Sequence, residues 1–302
     1  MRVLVTGSSG LVGGYISNHL RKSGFEVDGV SRNNDQELTW DMLNFEKISN
    51  QKTDKNYDVV IHVAAANEVD CLSYPAQSYA INVAGTRAII DFCVLNKIST
   101  LIYISTAQVF GVHCDFMTES VEPRPVNVYG QSHLMAEQLL KMVSRSSNLN
   151  VGVIRVGNLF GFPANFNSFK RWTLAPYDFY RQAAINHRIE LKTDGSAKRS
   201  FVSLEFLGNS IKNLILEGEI PTLIHVGGGM NLSIKDLALK TSNLCKIYFD
   251  KEIPVFAKKS ENHASSNYNF ISEREIFNEN KNIAEEEYKK FIELMVLNDN
   301  KL

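Results

Sequence analysis

The stretch that decides the fold is residues 2–13, which read RVLVTGSSGLVG. A β-branched run is followed by three glycines and then by an amphipathic segment, the order typical of a strand–turn–helix unit that holds a dinucleotide pyrophosphate. Gly7 lets the strand turn, Gly10 lets backbone approach phosphate without a Cβ, and Gly13 lets the helix pack on the sheet. The helix N-terminus adds N–H groups and partial positive charge. A purely structural turn is the alternative. The predicted phosphate-binding residues are Gly7, Ser9, Gly10, Leu11, Val12 and Gly13.

Composition indicates a soluble globular protein of one large or two modest domains. The 302 residues are 44% hydrophobic and 22% charged. Because the net charge is −1, we do not expect the protein to bind nucleic acid through a positively charged surface. Apolar stretches such as Val59–Ala66 are too short to cross a bilayer, and the chain enters its first strand at once. We therefore expect a cytoplasmic protein without a membrane partner.

The cysteines and histidines give no metal-binding pattern. The four cysteines are scattered without C-x-x-C spacing, and no H-x-x-x-H pair occurs. We expect reduced thiols and no metal site. The cysteines are Cys71, Cys93, Cys114 and Cys245.

Strand-like and helix-like segments alternate through the first half of the chain, which predicts an α/β fold with a Rossmann-type, doubly wound parallel sheet. The predicted strands are Arg2–Thr6, Glu26–Ser31, Asp58–Ala64, Leu101–Ser105 and Val151–Val156; the predicted helices are Leu11–Ser23, Ala76–Leu95 and Tyr129–Val143.

After about residue 157 the sequence becomes rich in Phe, Asn, Gly and Pro and loses its clear periodicity, which predicts loops that cover a site. We predict a dinucleotide-binding domain at 1–156, joined by about 198–222, and a smaller C-terminal substrate-binding part at 157–197 and 223–302. Ser233–Leu244 is predicted to be a helix with Ser233 as N-cap. The last forty residues, rich in Lys, Glu and Asn, predict a surface helix with a frayed tail.

A second group of candidate residues lies at the end of one buried strand and the start of the next helix. Ser105 and Thr106 end a strand, where open α/β sheets bind ligands. Tyr129 and His133 stand four residues apart, on one helical face. A hydroxyl, a phenol and a nitrogen base there suit proton transfer to a substrate oxygen. A buried tyrosine beside a surface histidine is the structural alternative.

Taken together, the motifs resemble those of the extended short-chain dehydrogenase/reductases, the family of nucleotide-sugar epimerases, dehydratases and reductases. The resemblance runs from the first residue to about Leu244, through TGSSGLVG (6–13), DVVIHVAA (58–65), NVAGT (82–86), YISTAQVFG (103–111), YGQSH (129–133), RVGNLFG (155–161), DGSAKRSFV (194–202) and HVGGG (225–229). The short link between strands 2 and 3, AAANEVD (64–70) and STAQVFG resemble the dTDP-4-dehydrorhamnose reductase branch, whereas DGSAKRSFV looks more like the epimerase branch.

This resemblance implies roles for individual residues. Thr106, or Ser105, would hydrogen-bond the substrate oxygen, and Tyr129 would exchange a proton as general acid or base. Arg199 resembles the arginine that pairs with a nucleotide-sugar phosphate, with a solvated arginine as its alternative. The remaining implied residues are Ala64, Ala65 and Asn82 along the cofactor groove, and Asn158 and Asn165 in the substrate loop.

The end of strand 2 favours NADP over NAD. The strand ends VSRNN, with Ser31 and Arg32 and no acid before Asp35. An acidic residue there would accept bonds from a ribose 2′-hydroxyl, whereas Arg32 can pair with a 2′-phosphate. Asp41 resembles the acidic position that meets the adenine amino group.

His133 departs from the family pattern, which has lysine at this position. The lysine charge lowers the phenol pKa and grips the nicotinamide ribose. A phenol pKa near 10 must fall about three units to act at neutral pH, worth about 4 kcal/mol at about 1.36 per unit. A histidine, mostly neutral there, supplies only part of that but can still donate a hydrogen bond to the ribose. A slower or acid-shifted enzyme, another activating group, or cofactor binding without catalysis would follow.

The leading hypothesis is an NADP-dependent oxidoreductase acting on a nucleotide-linked keto-sugar, with Tyr129 as proton donor. The alternatives are an epimerase or dehydratase that retains its cofactor, and a catalytically impaired NADP-binding subunit. The family resemblance also implies a homodimer packed through the Ala76–Leu95 and Tyr129–Val143 helices.

Overall fold

The computed structural model describes residues 1–32, 36–111, 115–259 and 268–298. The chain divides into two compact units. Unit 1 comprises Met1–Val112, Glu119–Val156 and Gly208–His225; unit 2 comprises His113–Thr118, Gly157–Leu207 and Val226–Leu302.

The strands are β1 (Arg2–Thr6), β2 (Glu26–Ser31), β3 (Leu38–Thr39), β4 (Val59–His62), β5 (Thr100–Thr106), β6 (Phe116–Met117), β7 (Asn150–Val156), β8 (Asn158–Phe160), β9 (Ile189–Glu190), β10 (Lys198–Ser203), β11 (Leu223–Gly228), β12 (Met230–Ser233), β13 (Val255–Phe256), β14 (Asn269–Phe270) and β15 (Asn278–Glu279). The α-helices are α1 (Leu11–Lys22), α2 (Phe45–Ser49), α3 (Glu68–Ser73), α4 (Pro75–Tyr79), α5 (Gly85–Leu95), α6 (Val128–Ser144), α7 (Ala175–Asn186), α8 (Leu204–Glu217), α9 (Ile234–Phe249) and α10 (Lys281–Leu297).

Unit 1 is built on a large sheet whose order is β3-β2-β1-β4-β5-β7-β11. The pairs from β3 through β7 are all parallel. The order reverses at β1, so the chain winds outward from β1 to β3 on one side and from β4 to β7 on the other. In sheets of this kind ligands bind at the carboxyl ends of the strands beside that reversal. The prediction of an α/β fold with a Rossmann-type sheet is confirmed.

The eighth strand joins where β11 passes into unit 2. Gly227 and Gly228 at its end pair in parallel with Asn278 and Glu279 of β15. The other described strands of unit 2 form short sheets in the orders β12-β10-β8, β13-β9 and β14-β6, and the unit also holds α7, α9 and α10.

The core of unit 1 follows from the apolar runs of the sequence. All four residues of β4 are buried, as expected for a central strand covered on both faces. Helix α1 ends at Lys22, and Gly24 follows in the left-handed region with φ +89°. The observed strands and helices start and end within a few residues of the predicted ones.

The predicted helix at 76–95 is not uniform. It consists of α4, a π-helical segment Ala80–Ala84, and α5. Among the described residues, the run Pro75–Leu95 is also the one that is long and apolar enough to cross a membrane on those two criteria, contrary to the expectation that every apolar stretch is too short. Half of its apolar window is buried inside the structure, and core helices pass the same criteria.

Two expectations for unit 2 differ from the structure. The return to unit 1 begins at Gly208 rather than near residue 198, because β10 pairs with β8 and β12. The last helix is more than a surface helix: α10 buries Tyr288, Phe291 and Met295 at helical spacing. Ser233 caps α9 as predicted, accepting the Asp236 backbone N–H. Cys71, Cys93 and Cys245 are buried, whereas Cys114 lies outside the described residues.

Candidate active site

The glycine loop after β1 has no room for side chains at its two ends. Gly7 has φ +70°, and a Cβ there would lie 2.9 Å from the Ala64 nitrogen at the end of β4. A Cβ at Gly13 would overlap the Gly7 carbonyl oxygen. Only glycine lets the turn, the start of α1 and the end of β4 approach this closely. The structure therefore brings Ala64 against the loop.

The N-terminus of α1 is suited to an anion. Its N-cap is Gly10, which has no side chain to cap the first turn. The first backbone N–H groups of a helix have no intrahelical partner, and they carry the positive end of the helix dipole. Ser8, the one buried hydroxyl in the loop, is turned inward and bonds the Val30 carbonyl at 3.1 Å. A glycine cradle with an uncapped helix fits a dinucleotide pyrophosphate.

The end of β2 places the residues predicted to meet the adenosine half. The Trp40 backbone N–H donates to the Ser31 carbonyl at 2.8 Å, which sets Asp41 next to the end of β2. One Asp41 carboxylate oxygen accepts the Leu43 N–H at 3.0 Å, so its own turn orients the side chain. Arg32 is exposed. Asp35 lies outside the described residues.

A chain of buried polar groups ties β1 to β4 and α5. Thr6 Oγ1 accepts the N–H groups of Val63 and Ala64 at 3.1 and 3.2 Å, and it lies 2.7 Å from His62 Nδ1. His62 Nε2 lies 3.1 Å from the Thr86 hydroxyl, which donates to the Asn82 carbonyl at 2.6 Å. Every group is satisfied when Thr6 donates to His62 and His62 donates to Thr86. Burial lowers the pKa of His62 to about 3, so it is neutral.

Asn82 is part of the interior rather than a groove lining. Its side chain is buried, its oxygen accepts the Ala66 N–H at 2.6 Å, and its nitrogen donates to the Ser132 hydroxyl at 2.9 Å. Asn82 thus connects the segment after β4 to α6. Ala65, beside Ala66, is exposed.

The end of β5 and the start of α6 meet through another glycine. A Cβ at Gly130 would overlap the Gln108 carbonyl oxygen, so α6 packs directly on the 3₁₀ turn Ala107–Phe110. Thr106 Oγ1 accepts the Gln108 N–H at 3.1 Å, and no described residue takes its hydroxyl proton. Asn127 caps α6 by accepting the Gly130 N–H at 2.8 Å. The half-buried Tyr129 is therefore held in the first turn of α6.

His133 lies inside unit 1 rather than on its surface. It is 3% exposed, and its ring lies edge-on to that of Tyr129 with centroids 4.6 Å apart. Its Nδ1 lies 2.7 Å from the hydroxyl of Tyr103. Desolvation lowers the pKa of His133 to about 4. The imidazole therefore brings no positive charge to Tyr129 at neutral pH.

The Ser105 hydroxyl is bonded to a buried carboxylate. It donates to Glu137 Oε1 at 2.5 Å, and Glu137 forms a two-pronged ion pair with Arg155 at 2.6 and 3.0 Å. The Glu137 and Arg155 side chains are 7% and 4% exposed. The prediction left Ser105 and Thr106 as alternatives for the substrate hydrogen bond. This geometry argues against Ser105 in that role, because its proton is taken by a buried carboxylate.

The predicted substrate residues lie in unit 2. Asn158 in β8 donates to the Ser200 carbonyl at 3.2 Å, and Asn165 is exposed just before the turn Phe166–Ser168. Arg199 is half-buried, with its guanidinium 5.4 Å from the centre of the Tyr268 ring. This packing differs from the solvated arginine that was the alternative.

The glycine loop, the uncapped helix and the end of β4 occur together with a matching sequence pattern. A profile of the NAD dependent epimerase/dehydratase family matches residues 3–205, more than half of the chain. The chain belongs to this family. The resemblance to extended short-chain dehydrogenase/reductases is confirmed.

Several similar proteins of the epimerase/dehydratase family are named as enzymes that act on nucleotide sugars. The chain is 24% identical over 275 residues to dTDP-D-glucose 4,6-dehydratase of Dictyostelium discoideum, a match covering 80% of this chain and 62% of that protein. It is similar to UDP-glucose 4-epimerase of Thermotoga maritima with UDP-glucose, with TM-score 0.81, 19% identity and 99% of each chain covered. DesIV, a dTDP-glucose 4,6-dehydratase of Streptomyces venezuelae with NAD bound, gives TM-score 0.79 at 19% identity over 99% and 98% of the two chains.

Sequence reasoning missed the buried partners of the predicted site. Tyr103, Glu137 and Arg155 were not singled out, although Tyr129, His133 and Glu137 follow one another at four-residue spacing. Three polar residues on the face of a helix that packs on a sheet indicate a polar interior. That spacing was the available signal.

Proposed function

We propose that this member of the epimerase/dehydratase family is an NAD(P)-dependent enzyme that transfers hydride at a carbon of a nucleotide-linked sugar. The observation that carries the proposal is the glycine loop, too tight for any Cβ at Gly7 or Gly13, in front of an uncapped helix. Bound nicotinamide would supply or accept the hydride. Gly7, Gly10 and the N-terminus of α1 would hold the pyrophosphate, with Ala64 against the loop.

The residues at the end of β5 and the start of α6 would handle the proton. Thr106 keeps its hydroxyl proton available to donate to a sugar oxygen, and Tyr129 would exchange the proton of that oxygen. His133 is neutral and buried, so it contributes a hydrogen bond and not a charge. Activation of Tyr129 would then depend on other groups, and we expect a slow enzyme. Mild acid does not help, because the pKa of His133 is lowered to about 4.

The test is turnover against a panel of nucleotide-linked sugars and keto-sugars with NADPH, NADH and the oxidised cofactors. Wild type should turn over at least one of them, and Tyr129→Phe should abolish that turnover. Tyr74→Phe is the matched control, because Tyr74 is 63% exposed and loses only a solvated hydroxyl. Full activity of Tyr129→Phe would refute the assignment. Cofactor binding without turnover in both wild type and His133→Lys would favour a non-catalytic subunit.

The direction of the reaction has two candidates. The sequence features shared with the dTDP-4-dehydrorhamnose reductase branch support a reductase, and the epimerase and dehydratase relatives support a recycled cofactor. A reductase consumes NADPH absorbance in proportion to product. An epimerase or dehydratase forms product with no net change in that absorbance.

We propose NADP as the preferred cofactor on the basis of Arg32, which follows β2 and is exposed. A guanidinium pairs with a ribose 2′-phosphate. Arg32→Ala should therefore weaken NADPH binding about tenfold or more and NADH binding little, as measured by fluorescence titration. Equal losses for the two would remove the basis for NADP.

We also propose a cytoplasmic homodimer. Support comes from apolar side chains exposed on the two helices named for the interface: Val94 on α5 is 51% exposed, and so is Met142 on α6. Sedimentation analysis of wild type and Val94→Glu tests this, because a charge in the interface should give monomers. A monomeric wild type would refute the dimer.

A further inference from the structure

Two buried histidines lie close to Tyr103, and they differ in how many of their nitrogens have hydrogen-bond partners. The ring centroids of His62 and His133 lie 5.6 and 5.8 Å from that of Tyr103. His62 has a hydroxyl partner on each nitrogen. His133 has a partner on Nδ1 alone, and its buried Nε2 has none among the described residues.

The partners of Tyr103 decide which nitrogen of His133 carries the proton. Within the described residues, His133 Nδ1 is the single hydrogen-bond partner of the Tyr103 hydroxyl. If Nδ1–H donated to Tyr103, the phenol proton and the Nε2 lone pair would both be buried without partners. If Tyr103 donates to Nδ1, only Nε2–H lacks a partner. The second arrangement leaves one fewer unsatisfied group, which is worth about 1–3 kcal/mol.

Both rings stay in the protonation states that this arrangement needs. Burial raises the pKa of Tyr103 well above 10, so its hydroxyl remains a donor. Burial also holds His133 neutral, with its pKa lowered to about 4. A difference of about 1–3 kcal/mol corresponds to a ratio of about 5 to 150 between the two tautomers.

We propose that Tyr103 is a positioning residue that fixes His133 as the Nε2–H tautomer. The neutral His133 ring then donates a hydrogen bond from Nε2 to a hydroxyl oxygen of the bound dinucleotide. The part that concerns the dinucleotide rests on the proposed function. The tautomer itself depends only on residues of unit 1. A buried donor without a partner is unfavourable, and a hydroxyl oxygen of the bound dinucleotide would satisfy it.

The test uses ¹⁵N NMR of the histidine side chains in the full chain, with and without saturating NADP⁺ or NAD⁺. Disappearance of a signal in His133→Gln assigns it. We expect Nε2 of wild-type His133 to show the shift of a protonated ring nitrogen and Nδ1 that of an unprotonated one. Tyr103→Phe should bring the two shifts toward each other, and cofactor should move the Nε2 shift in wild type. Affinity for cofactor should fall about three- to tenfold in Tyr103→Phe, the equivalent of about one hydrogen bond.

Tyr57→Phe is the matched control, because Tyr57 is a buried tyrosine of unit 1 whose hydroxyl bonds Asp28 at 2.7 Å. It should lose similar stability without moving the His133 signals or the affinity. A protonated Nδ1 in wild type, or unchanged signals in Tyr103→Phe, would overturn the tautomer assignment. Cofactor that binds without moving Nε2 would overturn its role as donor to the ligand. Absence of cofactor binding would overturn the proposed function and that role together, while the unliganded spectra still decide the tautomer.

Discussion

The buried ion pair between Glu137 and Arg155 gives the sharpest prediction for stability. Glu137→Leu leaves the Arg155 guanidinium in a dry interior, where it loses charged hydrogen bonds of 2.6 and 3.0 Å. The third guanidinium nitrogen, Nη1, already lacks a partner in the described part of the protein. Removing one member of such a pair costs about 3–5 kcal/mol. We expect that loss for Glu137→Leu and a similar one for Arg155→Met.

The double variant should be far more stable than the sum of the single changes. Glu137→Leu with Arg155→Met replaces both charges by apolar side chains of similar size, a change that is often neutral for the pair itself. The hydroxyl of Ser105 still loses its acceptor, which costs about 1–3 kcal/mol. That loss also occurs in Glu137→Leu alone, so it cancels in the cycle. The coupling between the two sites should therefore exceed about 3 kcal/mol.

The two tryptophans allow unit 1 to be followed separately. Trp40 is buried in unit 1 and packs edge-on to Phe92 at 4.9 Å, whereas Trp172 lies in unit 2. In a Trp172→Phe background, urea unfolding followed by Trp40 fluorescence reports the unit that holds the pair. Single losses below about 1 kcal/mol, the value of an exposed ion pair, would refute the reasoning. Additive losses in the double variant would refute it equally.

Three further predictions concern the site and the pH dependence. Gly13→Ala puts a Cβ against a backbone carbonyl that cannot move freely, so cofactor affinity measured by titration should fall at least about tenfold; unchanged affinity would contradict the loop geometry. Ser105→Ala should leave kcat nearly unchanged and Thr106→Val should lower it about tenfold or more, and the reverse order would contradict the assignment of the two hydroxyls. Burial raises the pKa of Glu279 from 4.5 to about 7. The stability that this carboxyl contributes is therefore fully present below pH 4.5 and is lost, by about 3 kcal/mol, as the pH rises through about 7. In urea unfolding at pH 5 and pH 8, Glu279→Gln should remove that part of the difference in stability, and an unaltered difference would count against the prediction.

The glycine loop could be predicted because its geometry is local. Gly7, Gly10 and Gly13 lie within seven residues, between a strand and a helix whose periodicities are visible in the sequence. The turn, the close approach and the uncapped helix depend on the backbone of that segment alone. The N-cap at Ser233 was predictable for the same reason.

The hydrogen-bond partners inside the sheet could not be predicted in this way. Ser105 and Arg155 face each other across β5 and β7, and Glu137 reaches both from α6. That arrangement depends on strand register and on which face of the helix meets the sheet. The sequence correctly predicted Ser105 at the end of a strand. The residues packed around it in the fold determine that its hydroxyl donates to the Glu137 carboxylate.

The charge of His133 could not be predicted from the sequence either. Its reference pKa of about 6.5 suggested partial charge near neutral pH. Burial in the structure lowers that pKa to about 4, and burial depends on the whole packing of α6 against the sheet. The substitution at the lysine position was therefore visible in the sequence, but its consequence for charge was not.

The π-helical segment Ala80–Ala84 makes its helix respond differently to lost and to added residues. A π turn holds more residues than the 3.6 of an α-helix, so the segment accommodates an extra residue within the helix. Deleting one residue there, such as Val83, can be absorbed by a return to α-helical spacing, whereas one residue inserted at the start of α5 would rotate the rest of that helix by about 100°. Ile89 and Phe92, now buried, would then turn away from the core. Substitutions along α5 change one side chain at a time, whereas a one-residue insertion there changes the whole face that the helix presents to the sheet.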